Sequence, residues 1–222
     1  MNLLKYIKHG LLALFLFAFC SFTACTKGVE YFDYVSELRS NILLAKTDGF
    51  SLKVFAVDKE SPYAMDGVPM EQNKRLEAYL VAPEGDKACT ISFSLHGENY
   101  GGEMSYDGVK AEYYYACPLD IKAEKEIEFQ IEYGESAFSL TASSVRTEDT
   151  LTPQNALKNL EREESELFSS LTDKYGFTGE IYMRLIYEDA PYYYVGLIER
   201  NGNVHAFLMN AKTGKVLAKR TP

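Results

Sequence analysis

Glu126-Ile127-Glu128-Phe129-Gln130-Ile131-Glu132 alternates polar and apolar residues without a break, and Tyr133-Gly134-Glu135-Ser136 then turns the chain toward Phe138 and Leu140. A period of two puts Ile127, Phe129 and Ile131 on one face of an extended strand and the acids on the other. That is the signature of an antiparallel sheet with one dry face. Upstream, Cys89-Thr90-Ile91-Ser92-Phe93-Ser94-Leu95 keeps the same alternation. Further runs rich in Val, Ile, Phe and Tyr occupy roughly 31–45, 50–57, 76–82, 111–117 and 136–143, with turn residues between them. Strands at this spacing predict an all-β N-terminal sandwich of immunoglobulin-like type over residues 25–148. The tryptophan that marks immunoglobulin domains is missing, since the chain has no Trp. Glu60 to Asn73, with Pro62, Gly67 and Pro69, reads as a long loop.

From residue 149 the pattern changes. Thr152-Pro153 predicts a helix start with Thr152 as N-cap and Pro153 at the first helical position. Leu157, Leu160, Leu167, Phe168 and Leu171 keep helical spacing, broken at Glu164, and Gly176 is the expected stop. Ile181, Met183 and Leu185 then alternate in a strand that ends at Asp189-Ala190-Pro191. Strands at Tyr192 to Glu199, Val204 to Met209 and Val216 to Ala218 follow. Asn201-Gly202 predicts a type I′ hairpin, which needs positive φ at both central residues. One helix followed by an antiparallel meander makes residues 149–222 a small α+β domain, the helix covering one sheet face.

Residues 1–24 differ in kind. Lys5 and Lys8 precede the apolar run Leu11 to Cys20, which has the layout of a secretory signal and is short of the roughly 20 apolar residues a membrane span needs. The ending Phe22-Thr23-Ala24-Cys25 resembles a bacterial lipobox. That resemblance implies lipidation of Cys25, with palmitate-type chains, and a cell-membrane location on the extracytoplasmic face. An ordinary cleaved signal and a retained anchor helix are the alternatives. Loss of residues 1–24 removes two lysines and no acid, taking the formal charge from −9 to −11. So acidic a chain is a poor nucleic-acid binder, whose affinity comes from cations on phosphate. Of the four cysteines, Cys89 and Cys117 remain beside the anchor. In an oxidising compartment they either pair as a disulfide or stay as buried thiols.

The residues that carry most chemistries are sparse. Only His96 and His205 remain beyond the signal, and neither neighbours another metal ligand at zinc-site spacing. No Gly-x-Ser-x-Gly elbow, phosphate-cradling loop or aspartate-rich calcium loop occurs. The expectation is therefore a chain that is not an enzyme and holds no cofactor or metal. Tyrosine is the one excess, 17 in all, with triplets at 113–115 and 192–194. Tyr113 and Tyr115, with Tyr193 and His205 on a C-terminal strand face, are the candidate binding surface for a protein or a sugar.

Asn210-Ala211-Lys212-Thr213-Gly214-Lys215-Val216-Leu217 resembles the closing hairpin of the PepSY family. Tyr193-Tyr194-Val195 and Asn201-Gly202-Asn203-Val204 resemble its preceding strand and turn. The resemblance covers about residues 150–220 and departs in having Asn210 where aspartate is usual. It implies a non-catalytic module that restrains a secreted or cell-surface peptidase, and it carries over no catalytic residue. The resulting expectation is a membrane-anchored lipoprotein that binds or regulates a secreted peptidase or another cell-envelope protein. The alternative is a carbohydrate- or cell-wall-binding lipoprotein.

Overall fold

β1 (Val35–Thr47) is the strand on which everything else is assembled. In its sequence, Val-Ser-Glu-Leu-Arg-Ser-Asn-Ile-Leu-Leu-Ala-Lys-Thr, Leu38 falls on the same face as Leu43 and Ala45 because a bulge at Ser40 shifts the register between Arg39 and Asn41. One edge pairs with β2 (Phe50–Glu60) along nearly its whole length. The other edge is divided: Val35 to Arg39 run parallel to a C-terminal strand, while Leu43 and Leu44 run antiparallel to a different one. A bulge is the means by which one strand can serve two layers, since it bends the strand and raises its twist.

The computed structural model describes residues 28–62 and 68–222; Cys25, and with it the signal and lipidation readings, lies outside them. Tyr31–Pro222 forms one compact unit. After β2 come β3 (Gln72–Val81), β4 (Cys89–Leu95), β5 (Glu98–Glu103), β6 (Ser105–Asp107), β7 (Glu112–Cys117), β8 (Glu126–Tyr133) and β9 (Ser136–Ser144). Two short helices follow, α1 (Pro153–Glu163) and α2 (Ser165–Ser170), then the two-residue strands β10 (Thr172–Asp173) and β11 (Gly176–Phe177). The chain ends in β12 (Glu180–Tyr187), β13 (Pro191–Ile198), β14 (Val204–Asn210) and β15 (Val216–Arg220). The main sheet runs β15-β14-β13-β12-β1-β2-β3-β7-β6, and β5-β4-β8-β9 joins it where β9 meets β1. Apart from the parallel β1–β12 pair, its ladders are antiparallel.

The inward faces of β1, β2, β3 and β7 share one core with those of β4, β8 and β9. Leu43, Leu52, Val54, Leu76 and Leu80 belong to the same buried cluster as Ile91, Phe93, Phe129, Ile131 and Tyr133. The residues read from alternation as dry are the dry ones: Ile127, Phe129 and Ile131 are buried, and Glu126, Glu128 and Gln130 are exposed. The chain is thus mostly antiparallel β-sheet with two short helices.

The helix begins where its cap dictates. Thr152 has extended backbone, its Oγ1 accepts from the Asn155 N–H at 3.2 Å, and Pro153 occupies the first turn. It stops at Glu163, and Glu164 separates α1 from α2. Ala156, Leu157 and Leu160 of α1 and Phe168 of α2 are buried, as are Ile181, Met183, Leu185, Tyr193, Val195, Leu197, Phe207 and Met209 of the meander. Gly214 lies at the contact between the two: its φ is +71°, and a Cβ there would run into Asn159 and Leu151. The β13–β14 hairpin forms where expected but not as a type I′ turn. Only Gly202 has positive φ, and the Gly202 N–H donates to the Glu199 carbonyl at 2.9 Å, so a longer loop closes the hairpin. The segment expected to be a loop from Glu60 to Asn73 is shorter at both ends, because β2 reaches Glu60 and β3 begins at Gln72.

Candidate functional site

While one face of the meander is filled by buried apolar side chains, the intervening residues emerge on the opposite face. Tyr182, Arg184, Ile186, Tyr192, Tyr194 and Leu208 are half-buried there. Cross-strand register aligns Arg184 with Tyr194, Leu208 and Ala218 on one side and with Arg39 of β1 on the other. The register partner of Arg39 on β2 is Val57, and the same face carries Phe55 of β2, Glu77 and Tyr79 of β3, and Tyr114 of β7. One outer sheet face thus carries arginines and aromatic rings drawn from both halves of the sequence.

At its centre the Arg184 Nε donates to Glu37 Oε1 at 2.7 Å, and Lys59 Nζ stands 3.9 Å from Glu37 Oε2. The Arg39 guanidinium lies 4.1 Å over the centre of the Phe55 ring. Burial, and after it the neighbouring Arg184, disfavour the charge on Arg39. The Arg39 Nε is buried and has no acceptor. Toward β7, Phe55 meets Tyr79 edge-on at 5.6 Å, and Tyr79 meets Tyr114 at 5.1 Å. The Tyr79 hydroxyl donates to Glu77 Oε2 at 3.1 Å, and burial followed by that carboxylate raises its pKa far above an ordinary phenol. Arg75 lies 3.3 Å from Glu77 and donates to the Tyr114 hydroxyl at 3.2 Å. Toward β15, small residues in the row Gly196–Ala206 leave a shallow recess of about 290 Å³ bounded by Tyr194, Leu208, Ala218 and Arg220. Aromatic side chains and arginine around an apolar recess are the composition enriched in protein-binding patches.

The residues singled out from the sequence sit elsewhere. Tyr113 and Tyr193 are 1% and 0% exposed. The Tyr113 hydroxyl donates to the Lys87 carbonyl at 3.0 Å, and that of Tyr193 donates to the Leu151 carbonyl at 2.8 Å. Tyr115 is half-buried against the shared core. His205 is paired with Glu199, Nε2 to Oε1 at 2.7 Å, on the same sheet face as Tyr193. Tyr113 and Tyr193 therefore fill the core, and the tyrosines that face outward are the middle one of the first triplet, Tyr114, and the outer two of the second, Tyr192 and Tyr194. The strand parity of the triplets was readable from the sequence; which side of the sheet would be covered was not.

Cys89 and Cys117 are free thiols. Cys89 is buried with its Sγ 3.7 Å from the Met104 sulfur, and burial pushes its thiol up to about 11. Burial raises the Cys117 thiol too. At pH 8 the Cys89 thiolate is then on the order of one part in a thousand. Iodoacetamide followed by peptide mass mapping is expected to leave Cys89 unmodified in the folded chain and to modify it fully in guanidinium. A linked Cys89–Cys117 peptide would contradict this. Among the described residues, no three His, Cys, Asp or Glu side chains form a group that could hold a metal ion. No helix among them is long and apolar enough to cross a membrane.

Comparison with known proteins finds no family model, no curated protein and no solved structure that matches this chain.

Proposed function

We propose that this chain is a membrane-anchored extracytoplasmic lipoprotein acting as a non-catalytic binding or regulatory module, whose partner is a secreted or cell-surface peptidase or another cell-envelope protein. In this reading residues 25–148 are an immunoglobulin-like sandwich, residues 149–222 are a PepSY-like α+β unit, and Cys25 carries the lipid. The observation that supports it most is the outer sheet face, with Tyr79, Tyr114, Tyr194 and Leu208 half-exposed in line with Arg39 and Arg184. A face of that composition and extent suits a macromolecular partner better than a small substrate. Restraint of the partner would be steric.

The test is deletion of the gene followed by complementation with the natural chain or with Tyr194→Asp, which puts a charge beside the recess. The expected result is a rise in secreted proteolysis on deletion, reversed by the natural chain and not by the variant at equal abundance. Unchanged proteolysis, together with no protein cross-linked to the chain in membranes, would remove this reading. A second reading, carbohydrate binding, is favoured by the adjacent Tyr79 and Tyr114 rings at 5.1 Å. Retention on insoluble cell-wall glycan that falls in Tyr114→Ala would select it.

A further inference from the structure

We propose that Arg39 and Arg184 together form a receptor for a carboxylate presented by an acidic segment of the partner protein. This rests on reading the outer sheet face as a protein-binding face, and says what that face recognises.

The two arginines are register partners across the β1–β12 pair, so both guanidinium groups rise side by side from the same face. Like charges opposite each other in a sheet oppose folding; the Glu37 carboxylate attracts both, but of the two only Arg184 hydrogen-bonds to it. Glu37 is taken by the Arg184 Nε and approached by Lys59, while Glu77 is taken by Arg75 and Tyr79. Among the described residues, Arg39 hydrogen-bonds to no carboxylate, and its buried Nε has no acceptor. An arginine carries five N–H donors in a planar fork suited to a carboxylate.

Charge complementarity points the same way. Arg39, Lys59, Arg75 and Arg184 share the patch with Glu37 and Glu77, an excess of positive charge on a chain whose formal charge is −9. Phe55 holds the Arg39 guanidinium at 4.1 Å, so little freedom is lost when a ligand arrives. The Glu37–Arg184 contact at 2.7 Å shows that a carboxylate fits beside these groups. A planar acid side chain on a protein surface, flanked by Tyr79 and Tyr194, is the ligand that fits the whole patch.

The test uses the full chain in detergent and a fluorescent hexaglutamate peptide blocked at both ends. Binding is expected to be salt-sensitive, absent for hexaglutamine, and weakened about tenfold or more by Arg39→Met, which keeps the stem over Phe55 and removes the charge. Arg39→Lys should weaken it nearly as much, because the fork is lost. The melting temperature of Arg39→Met should stay level or rise, since a like-charge pair is relieved. Equal peptide binding by Arg39→Met, or a fall in its melting temperature with binding unchanged, would make Arg39 structural and overturn the proposal. Binding of polygalacturonate in place of the peptide would overturn the protein source. Cross-linking in membranes keeps the two levels apart. A partner captured equally by the natural chain and Arg39→Met sinks the carboxylate receptor alone, and a partner captured by neither sinks the binding reading beneath it.

Discussion

Phe129→Ala is expected to lower the stability of the chain by about 3–5 kcal/mol, read as a fall in the urea midpoint. Phe129 has no exposed area and stands opposite Leu140 in the β8–β9 ladder. Its ring centre lies 4.9 Å from that of Phe93 on β4, and Phe93 in turn stacks on Tyr100 at 5.3 Å. The cluster around it draws on strands of both layers, so the cavity left by alanine is lined from two sides and cannot close by moving one strand. The matched control is Thr141→Ala on the exposed face of β9, which should change stability by less than about 0.5 kcal/mol. A loss below about 1 kcal/mol in Phe129→Ala would mean that the two layers do not share a core.

The second large effect is expected at Asn41, whose side chain is fully employed in the interior. Its Nδ2 donates to the carbonyls of Glu124 at 2.9 Å and Ile121 at 3.3 Å. Its Oδ1 accepts from the Ile42 N–H at 2.9 Å and from the Ser144 hydroxyl at 2.7 Å. Asn41→Leu is close in size and leaves two donors and two acceptors without their partner, at about 1–3 kcal/mol for each group that water cannot reach. A total loss of about 2–4 kcal/mol follows, because the neighbouring cleft lets water serve some of them. Asn41→Asp would place a carboxylate against two carbonyls and so raise the acid's pKa above its unfolded value. That stability is present at low pH and lost as pH rises, so the variant should recover on acidification where Asn41→Leu does not. Equal midpoints for Asn41→Leu and the natural chain would contradict the network.

What the sequence disclosed follows period. Where alternation was strict, as in Glu126 to Tyr133, Cys89 to Leu95 and Ile181 to Leu185, strand and buried face were both readable. The helix start was readable because Thr152 and Pro153 act locally. β5 was not, because Asn99, Gly101 and Gly102 lack β propensity. Its hairpin depends instead on His96 and Gly97, both at positive φ. The pairing of β1 with β12 left no local trace at all. It is a long-range match between two strand edges, and Arg39 meets Arg184 only through it. The outer face was missed for that reason, and the tyrosine triplets pointed to the covered side of the sheet.

The divided edge of β1 also sets an order of events. Ribosomes deliver Val35 long before Ile181, its ladder partner, so the first half of that edge must wait bare while the whole second layer, both helices and the turns between them are made. An uncovered strand edge is a template for any other extended chain. Pairings so distant in sequence are slow to form. The charges at Glu37 and Arg39 fall on that waiting stretch and make it a poor template for a neighbouring chain. The same two residues thus guard the unfinished protein and, once Arg184 arrives, become part of the finished one.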